Sequence, residues 1–433
     1  MTTAYRDAVA YLYGLQKHGI KLGLDTIEAL LDRLGRPQAA CPSLHIGGTN
    51  GKGSTAAMAA SILQAAGYRV GLYTSPHLVD YRERIRIDGR MCEEEAVVEL
   101  VRAVRAAAGA DLAPTFFEFN TAMAFRAFAE AGVDVAVVEV GMGGRFDATN
   151  VLRPLASAIV TVALDHQDQL GSTIAAIAGE KAGIIKDRTP IVTGRLDVHA
   201  EAVIDRVAAE RQAPRVRLGR EFRITRLGAA GGTYEGFGRT ISGLSLQLAG
   251  VHQWDNAACA LALVEAASGR GFSVSDAAMR DGLRSVRWEG RLEALERDPL
   301  ILVDGAHNPA AAEVVARYLT EFKERQPSSR IHLIVGMMRD KDMAGVLGRL
   351  APLADRLTLA HVDLPRAAGC AELRAALPAT VGPVETAESV ADALDRARRF
   401  ATPADVICFT GSLMLVGEVK ALLSGCQLSP ISG

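Results

Sequence analysis

A glycine-rich turn early in the chain constrains its fold more than any other feature of the sequence. The run GGTNGKGST, residues 47–55, follows a short apolar segment, residues 43–46, and precedes a helical pattern. A strand, a glycine-rich turn and a helix in this order are typical of a phosphate loop, where backbone N–H groups and the helix N-terminus bind anionic oxygens. We therefore predict that Lys52 contacts the β- and γ-phosphates of a nucleotide and that the Ser54 hydroxyl reaches Mg²⁺.

The run departs from the strict phosphate-loop pattern G-x-x-x-x-G-K-[ST] at two positions. Ile46 stands where the pattern has its first glycine, and Gly53 separates Lys52 from Ser54. The alternative is a glycine-rich turn of another α/β domain, such as a dinucleotide-binding one. The lysine followed by a hydroxyl favours the nucleotide interpretation.

The composition argues against several classes of function. Across 433 residues the formal net charge is −2, which gives no reason to expect a nucleic-acid or membrane surface. No apolar run approaches the roughly 18 residues of a membrane-spanning helix, and residues 1–20 lack the unbroken apolar core of a signal peptide. The six cysteines show no C-x-x-C pairing, which predicts neither a zinc site nor a disulfide framework. We expect a cytoplasmic monomer.

Strands alternate with helical patterns along most of the chain, which predicts an α/β fold with a doubly wound parallel sheet. We expect a first domain over residues 1–289, with a β-rich elaboration at about 216–248, and a second domain over residues 290–433. The predicted strands of the two domains include residues 69–73, 133–140, 156–164, 300–303, 331–335 and 405–409.

Polar residues follow two neighbouring predicted strands, where ligands collect in an open α/β sheet. Glu139 lies near the end of a mostly apolar strand, and a metal ion would justify a carboxylate there. A salt bridge from Glu139 to Arg145 or to another basic residue is the alternative. His166, just past the strand predicted over residues 156–164, is a possible second ligand, although a lone histidine is more often a hydrogen-bonded structural residue.

Two further segments carry polar groups. Lys181 lies within an apolar helical pattern, and from spacing alone a solvated surface lysine is the better prediction. The turn DGAHNP, residues 304–309, places Asp, His and Asn between a strand and a helix, and we predict a second binding edge there. Helix capping by Asn308 is the alternative, but it explains only one of the three residues.

Nine segments together resemble a known family. In chain order they are GTNGKGS, SPH, FFEF, EVGMGGRFDATN, LDHQDQLG, EKAGI, GRLE, DGAHNP and TGSLMLVGE. The chain resembles the folylpolyglutamate synthase and dihydrofolate synthase family, within the wider Mur ligase superfamily, over about residues 19–420. The resemblance implies an N-terminal P-loop ATPase domain with a parallel sheet and a smaller Rossmann-like C-terminal glutamate-ligase domain, which enclose a cleft.

The implied activity is the ATP-dependent addition of L-glutamate to folates through an acyl phosphate, and also the conversion of dihydropteroate to dihydrofolate. The resemblance places ATP on Asn50, Gly51, Lys52, Gly53, Ser54, Asn256, Arg291 and Asp304. It places one Mg²⁺ on Ser54 and Glu139, and a second on Ser75, Glu139 and His166. The pterin-bearing substrate would contact Leu22, Gly23, Phe117, Phe146 and Asp147, and the incoming glutamate His307 and Ser412.

Among these residues, the expected catalytic ones are Lys52, Lys181 and His307. Lys181 matches the lysine that the family carbamylates, so that CO₂ on the amine gives a carboxylate-like group near the metal. The physical chemistry fits such a reaction, because a carboxylate at neutral pH is a poor electrophile and an acyl phosphate is a good one. Lys52 and two Mg²⁺ would neutralise charge during phosphoryl transfer.

Several alternatives stay open. A folylpolyglutamate synthase without the dihydropteroate activity is one, because many bifunctional relatives have Asp where this chain has Lys21. A Mur ligase of peptidoglycan synthesis is another, although those proteins carry an extra domain before the phosphate loop, and only 46 residues precede the run GGTNGKGST here. A P-loop nucleotide switch is the third, and the DGAHNP turn disfavours it.

Overall fold

The computed structural model describes residues 1–19, 23–228, 231–379, 382 and 384–429. The chain divides into two compact units, and their segments alternate along the sequence. The first unit is Met1–His77, Tyr81–Gln247 and Val251–Arg287, and the second is Leu78–Asp80, Leu248–Gly250 and Trp288–Gly433. The division after Arg287 lies shortly before the expected boundary, and two short segments from the range expected for the first domain belong to the second unit.

The first unit contains ten helices and eleven strands among its described residues. The helices are α1 (Thr3–Gly14), α2 (Asp25–Arg33), α3 (Lys52–Ala65), α4 (Glu94–Ala108), α5 (Phe116–Ala131), α6 (Gln167–Leu170), α7 (Ile174–Ala182), α8 (Val198–Glu210), α9 (His252–Ala267) and α10 (Asp276–Ser285). The strands are β1 (Ser43–Gly47), β2 (Val70–Tyr73), β3 (Ile85–Ile87), β4 (Arg90–Met91), β5 (Val135–Glu139), β6 (Ala156–Ile159), β7 (Ile191–Thr193), β8 (Arg215–Arg217), β9 (Arg223–Leu227), β10 (Gly231–Glu235) and β11 (Thr240–Ser245).

The main sheet of this unit has eight strands in the order β4-β3-β2-β5-β1-β6-β7-β8. The six strands from β2 to β8 in this order pair in parallel, and at one edge β3 pairs antiparallel with both β2 and β4. All residues of β1 and β5 are buried, as expected for central parallel strands that are covered on both faces. The predicted α/β fold with a parallel sheet is confirmed.

The register brings the carboxyl ends of the central strands to one edge of the sheet. Ile46 near the end of β1 pairs with Glu139 at the end of β5, and Tyr73 at the end of β2 pairs with Val138. On the other side, Gly47 of β1 pairs with Ile159 of β6. The loops that follow these four strands therefore start side by side.

The strand predicted over residues 156–164 is shorter than expected, because β6 ends at Ile159. Beyond it, the Thr161 carbonyl accepts a hydrogen bond from the Thr49 N–H at 2.8 Å, and the Ala163 carbonyl accepts one from the Thr49 hydroxyl at 3.2 Å. The apolar run continues, but its backbone groups bind the phosphate loop instead of a neighbouring strand. His166 therefore follows a loop and not a strand end.

A small antiparallel sheet follows the main one in sequence. Strands β9, β10 and β11 form it in the order β11-β10-β9, within the segment where β-structure was expected. The cysteines of the chain, all within the described ranges, are free thiols. Over the described residues, the chain contains no helix with the length and apolar character needed to cross a membrane.

The second unit has a sheet of its own. Its described helices are α11 (Pro309–Arg325), α12 (Met343–Leu350), α13 (Cys370–Ala375), α14 (Val390–Phe400) and α15 (Leu413–Ser424). Its strands are β12 (Glu293–Arg297), β13 (Leu300–Val303), β14 (Ile331–Val335), β15 (Arg356–Ala360), β16 (Val384–Ala387) and β17 (Val406–Thr410), in the order β12-β13-β17-β14-β15-β16. Only β12 is antiparallel, so this unit is the expected second α/β domain with a parallel sheet.

Candidate functional site

The glycine-rich turn connects β1 to α3 in the geometry of an anion-binding loop. Gly51 caps the N-terminus of α3 with a φ of 84°, a conformation that favours glycine. A Cβ atom at Gly51 would stand only 2.5 Å from Asn256 Oδ1, so the turn also needs glycine for space. Because a glycine cap has no side chain, the first-turn N–H groups of α3 receive no cap from it and are suited to an anionic ligand.

The loop is held in place by the segment that follows β6. The Asn50 N–H donates to Thr161 Oγ1 at 2.9 Å, and the Thr161 hydroxyl donates back to the Asn50 carbonyl at 2.9 Å. The Thr49 N–H and hydroxyl bind carbonyls of the same segment. These bonds fix the loop backbone before any ligand binds.

Lys52 and Ser54 lie in the first turn of α3, as predicted. The Lys52 Nζ donates to the Thr49 carbonyl at 3.1 Å, which curls the lysine back over the loop. Ser54 is buried, and its Oγ accepts a long hydrogen bond of 3.4 Å from Gln253 Nε2. Gln253 Oε1 in turn accepts from Asn256 Nδ2 at 2.9 Å. The start of α9 therefore contributes a buried amide pair beside the loop.

Glu139 ends β5, is 5% exposed, and accepts a hydrogen bond from the Ser75 N–H at 3.1 Å. Arg145, its alternative partner, pairs instead with Glu180 at 3.3 Å. His166 is exposed at the start of α6, with its Nε2 3.9 Å from Asp165 Oδ1. Within the described ranges, no three His, Cys, Asp or Glu side chains cluster as a metal site.

This donor set fits a hard cation that takes only part of its ligands from the protein. A carboxylate and serine hydroxyls are oxygen donors, and Mg²⁺ commonly binds one or two carboxylates and completes its shell with substrate phosphates and water. Ser54, Ser75 and Glu139 are the residues present that suit Mg²⁺ best. His166 offers nitrogen, which suits the ion less well.

Lys181 is buried in the structure, so the surface lysine predicted from spacing alone is wrong. It is 3% exposed, and its Nζ donates to the Gly48 carbonyl of the phosphate loop at 2.9 Å. The helix α7 comes this close because Gly144 packs on it: a Cβ there would stand 2.7 Å from the Glu180 carbonyl. Burial, with a contribution from the positive charge of Lys52, lowers the pKa of the Lys181 amine to about 7.

A cavity of about 480 Å³ opens in the first unit beside these residues. Its walls include Gly23, Phe117, Phe146 and Asp147 of the predicted substrate set, together with Ser75 and His166 of the predicted metal set. The other residues that line it are Gln16, Gly19, Pro76, Arg84, Thr115, Phe116, Glu118, Gly141, Met142 and Ala148. Leu22, the remaining predicted contact from the N-terminal region, lies outside the described residues.

Asp147 is fixed by hydrogen bonds within the protein. Its Oδ2 accepts from the Met142 N–H at 2.9 Å, and its Oδ1 accepts from the Thr149 N–H at 3.0 Å and from the Thr149 hydroxyl. His45 Nε2, on β1, lies 2.8 Å from Thr149 Oγ1. Burial raises the pKa of the Asp147 carboxyl, and the bonds from Thr149 and Met142 oppose that rise.

The remaining predicted residues belong to the second unit. Asp304 is buried after β13 and accepts hydrogen bonds from the Leu292 and Ala306 N–H groups, each at 2.8 Å, while burial raises the pKa of its carboxyl. His307 Nδ1 lies 2.8 Å from the Gly305 carbonyl. Ser412 caps α15, where its Oγ accepts from the Leu415 N–H at 3.1 Å.

Two more observations concern that unit. Arg291 donates to the Gly290 carbonyl at 2.9 Å. Asn308 caps α11 by accepting from the Ala311 N–H at 2.9 Å, so the capping alternative holds for this residue, while Asp304 and His307 have separate contacts.

The structure thus gathers Asn50, Gly51, Lys52, Gly53, Ser54 and Asn256 at one loop, and Gly23, Phe117, Phe146 and Asp147 around one cavity. Sequence analysis missed Thr161, Gln253 and Arg84. Gln253 could have been found from its i, i+3 spacing to Asn256 on one helix face. Arg84 lies in a charged loop, and nothing in the sequence distinguishes it from its charged neighbours.

Two family models match this chain, one mostly within the first unit and one within the second. The family model of the Mur ligase middle domain matches residues 46–264, which include the phosphate loop, the cavity-lining residues from Ser75 onwards and the start of α9. The model of the Mur ligase glutamate ligase domain matches residues 290–413 of the second unit.

Two curated relatives show how far the similarity extends. The dihydrofolate synthase/folylpolyglutamate synthase of Bacillus subtilis is 36% identical over 434 residues, which cover 98% of this chain and 100% of that protein. The probable bifunctional folylpolyglutamate synthase/dihydropteroate synthase of Haloferax volcanii is 39% identical over 432 residues, or 96% of this chain. The match covers 50% of the archaeal protein, so the chain spans about half the length of that relative.

Two solved structures have the same fold. Escherichia coli FolC in complex with DHPP and ADP superposes with a TM-score of 0.88 at 34% identity, covering 98% of this chain and 99% of that chain. The bifunctional folylpolyglutamate synthase/dihydrofolate synthase of Yersinia pestis, complexed with AMPPNP and Mn ion, gives a TM-score of 0.87 at 33% identity, covering 98% and 100%.

Proposed function

Because this chain belongs to the folylpolyglutamate synthase and dihydrofolate synthase family of Mur ligases, we propose that it uses ATP to join L-glutamate to folates and to dihydropteroate. The observation that carries the proposal is the position of Glu139. It pairs in register with Ile46, next to the phosphate loop, and accepts a hydrogen bond from Ser75, which lines the cavity. One carboxylate thus connects an ATP-binding loop with a cavity for an organic substrate.

The proposed reaction has two steps. The γ-phosphoryl group passes from ATP to a carboxylate oxygen of the substrate, the bond to the β-phosphate breaks, and ADP and an acyl phosphate form. The amine of glutamate then attacks the acyl carbon, loses a proton and forms an amide as inorganic phosphate leaves. Lys52 and the first-turn N–H groups of α3 hold the ATP phosphates in the first step.

The relatives in solved structures carry ADP, AMPPNP and a Mn ion, which supports ATP and a divalent cation as ligands here. We propose two Mg²⁺ sites that use Ser54, Ser75, Glu139 and His166, and these ions would neutralise phosphate charge. Of these four residues, Ser54, Ser75 and Glu139 suit Mg²⁺ best because they donate oxygen.

Carbamylation of Lys181 is part of the same proposal. Burial lowers the pKa of the amine beside Gly48 to about 7, so a large fraction of it is uncharged near neutral pH. The uncharged amine is the form that captures CO₂. The resulting carbamate would supply a negative oxygen group near the phosphate loop, where Lys181 itself supplies a positive charge.

The cavity is proposed to bind the pterin-bearing substrate, because its lining combines the aromatic Phe117 and Phe146 with the polar Asp147. In the second unit we propose that Arg291 and Asp304 contact ATP, and that His307 and Ser412 bind the incoming glutamate. These roles rest on family motifs, and the division into an ATPase domain and a glutamate-ligase domain rests on the two matched models.

The experiment is an assay of the purified protein with ATP and labelled glutamate, with dihydropteroate in one arm and tetrahydrofolate in the other. Product formation in both arms supports the bifunctional enzyme. Product with tetrahydrofolate alone supports the second candidate, a folylpolyglutamate synthase, which the replacement of Asp by Lys21 favours. No product in either arm, or ATP hydrolysis independent of both co-substrates, contradicts the proposal.

Two expectations about the whole protein stay proposals. A cytoplasmic location is supported by the free thiols, which suit a reducing compartment. The expected monomer is tested by light scattering coupled to size-exclusion chromatography, and a dimer would contradict it.

A further inference from the structure

Arg84 is a nearly buried cation on the wall of the cavity. It ends the short 3₁₀ helix Tyr81–Arg84 just before β3, is 7% exposed, and contributes to the cavity lining beside Phe116. Burying a guanidinium destabilises a protein unless hydrogen bonds and a nearby negative charge compensate for its lost hydration. The contacts of Arg84 therefore indicate whether its charge is compensated within the protein or by a ligand.

Among the described residues, the Arg84 guanidinium has one hydrogen bond, from its Nε to His77 Nδ1 at 2.9 Å. His77 accepts this bond at Nδ1 and brings no negative charge that would compensate Arg84. His77 Nε2 lies 3.1 Å from the Tyr13 hydroxyl, which ties the imidazole to α1. The arrangement orients the guanidinium without neutralising it.

Aromatic rings hold the rest of the side chain. The guanidinium carbon stands 5.3 Å from the centre of the Phe116 ring and 5.9 Å from that of Tyr81. Phe116 in turn stacks on Tyr13 with 5.4 Å between ring centres. Cation–π contacts of this kind attract a guanidinium but leave its terminal N–H donors for another partner.

The acidic residues of the cavity are already used elsewhere. Glu118 Oε2 accepts from the Thr115 N–H at 2.8 Å in the capping box of α5, and Asp147 accepts from Met142 and Thr149. Neither carboxylate forms an ion pair with Arg84 within the described part of the chain. The cavity thus presents a fixed positive charge to whatever enters it.

We propose that Arg84 binds a carboxylate of the pteroyl substrate. The guanidinium presents paired donors that match a carboxylate, and pairing in a water-poor cavity is stronger than at a surface. The Thr74 N–H donates to the Arg84 carbonyl at 3.1 Å, so Arg84 lies beside the segment that carries Ser75. Ser75 lines the same cavity as Arg84 and is one of the residues proposed to bind Mg²⁺, so the inference rests on the proposed function.

Two carboxylates could be the ligand. Dihydropteroate has one, which is the reacting group, whereas tetrahydrofolate has a reacting γ-carboxylate and a non-reacting α-carboxylate. Binding the reacting group makes Arg84 necessary for both substrates. Binding the α-carboxylate makes it necessary for tetrahydrofolate alone and gives the enzyme a way to recognise substrates that already carry glutamate.

The first test measures binding of pteroate and of its uncharged methyl ester by calorimetry, with ADP and Mg²⁺ present. The wild-type protein should bind pteroate about tenfold or more tightly than the ester. Arg84→Gln should bind the two ligands with nearly equal affinity, and Arg84→Lys should lie between, because it keeps the charge and loses the planar fork. Arg84→Gln that still prefers pteroate as strongly as the wild type would exclude the reacting carboxylate as the ligand, and together with unchanged KM values in the second test it would overturn the proposal.

The matched control is Arg90→Gln, an exposed arginine on β4 in the same hairpin, which should keep the wild-type preference. Melting temperature and ADP affinity report whether each variant is folded, and Arg84→Lys provides the comparison if Arg84→Gln does not fold. In the second test, the KM values of Arg84→Lys for dihydropteroate and tetrahydrofolate are compared with its KM for ATP.

The outcomes of the second test separate the two ligands. A raised KM for both pteroyl substrates assigns the reacting carboxylate to Arg84, and a raised KM for tetrahydrofolate alone assigns the α-carboxylate. Unchanged KM values for both contradict the inference while the proposed function stands. A wild-type protein that turns over neither substrate contradicts the proposed function itself, so the two failures are distinguishable.

Discussion

The Lys181 Nζ lies 2.9 Å from the Gly48 carbonyl oxygen, so a buried amine from α7 binds the backbone of the phosphate loop directly. The two residues are 133 positions apart in the chain. Their contact joins α7 to the loop that follows β1. It also places a titratable nitrogen next to the proposed position of the nucleotide phosphates.

The first prediction concerns Lys52. Lys52→Ala should lower kcat by on the order of a hundredfold or more. The substitution removes the positive charge that would stabilise the phosphates during transfer. The protein should stay folded, since the only hydrogen bond of the Lys52 amine within the described chain goes to the Thr49 carbonyl of its own loop. Steady-state kinetics and thermal unfolding measure the two effects.

The control for Lys52 is Lys323→Ala, which removes a partly exposed lysine of α11 that pairs with Asp355. It should keep wild-type turnover. Near wild-type turnover of Lys52→Ala would contradict the assignment of residues 47–55 as a phosphate loop.

The second prediction concerns the metal. Glu139→Gln keeps the shape of the side chain but removes its charge, so it should raise the Mg²⁺ concentration needed for half-maximal activity by about tenfold or abolish activity. His166→Ala should have the smaller effect of the two, because its nitrogen is the weaker ligand for Mg²⁺ and its side chain is exposed.

Titration of activity with Mg²⁺ at saturating ATP measures this requirement. Asp168→Asn, on α6 beside His166, serves as the charge-matched control and should leave the Mg²⁺ curve unchanged. If both Glu139→Gln and His166→Ala kept the wild-type dependence of activity on Mg²⁺, neither residue would be a metal ligand.

The third prediction concerns Lys181. Lys181→Ala should lose most activity, since it removes the site of the proposed carbamate as well as the amine that binds Gly48. A small carboxylic acid in the medium should restore part of the activity by replacing the carbamate oxygens. Full activity in Lys181→Ala would contradict the carbamate proposal.

The rescue of Lys181→Ala by the acid needs a second variant for comparison. Lys181→Met fills the space without a carboxylate or an amine and should respond less to the added acid than Lys181→Ala does. An equal response of both variants would mean that the acid acts somewhere other than at position 181.

The fourth prediction is a pH dependence. Burial lowers the pKa of the Lys181 amine to about 7, so the neutral fraction that captures CO₂ rises as the pH rises through that value. From a simple titration, uptake of CO₂ should increase about fivefold from one pH unit below the pKa to the pKa, and less than about twofold over the next unit.

The measurement follows the return of activity after CO₂ is stripped from the buffer and restored at a constant dissolved concentration. Carbon-labelled carbamate, observed by NMR, reports the same step without catalysis. An uptake rate that keeps rising steeply towards pH 10, the usual range of an exposed lysine, would contradict the lowered pKa.

The fifth prediction concerns Thr149, whose hydroxyl connects Asp147 with His45. Thr149→Val keeps the shape but leaves two buried polar partners without their bond, which should cost about 1–3 kcal/mol of unfolding free energy. The KM for the pteroyl substrate should rise while the KM for ATP stays unchanged, because Asp147 lines the cavity and not the phosphate loop.

Thr149→Ser keeps the hydroxyl and should restore the wild-type KM, at a modest loss of stability from the missing methyl group. Equal KM values for the pteroyl substrate in Thr149→Val and the wild type would mean that this hydrogen bond does not position Asp147 for binding.

Much of the fold and part of the site could be predicted from the sequence, because they depend on local patterns. The run GGTNGKGST needs glycine at Gly51 for its backbone conformation, and it folds between a strand and a helix wherever the rest of the chain lies. The alternation of strands and helices sets the α/β class, and the apolar run that ends at Glu139 already indicates a buried carboxylate at a strand end. These properties come from neighbours within a few residues.

The tertiary structure decided the features that depend on distant neighbours. Lys181 looks like a surface lysine from its spacing, yet α7 packs so closely on Gly144 that the amine is buried against Gly48. The run after Ile159 looks like strand, yet its backbone binds the phosphate loop. Arg84 looks like one charge among several, and it becomes an uncompensated cation in a cavity only because His77, Phe116 and Tyr81 surround it. Burial and charge pairing are properties of the packed chain, and a sequence pattern records neither.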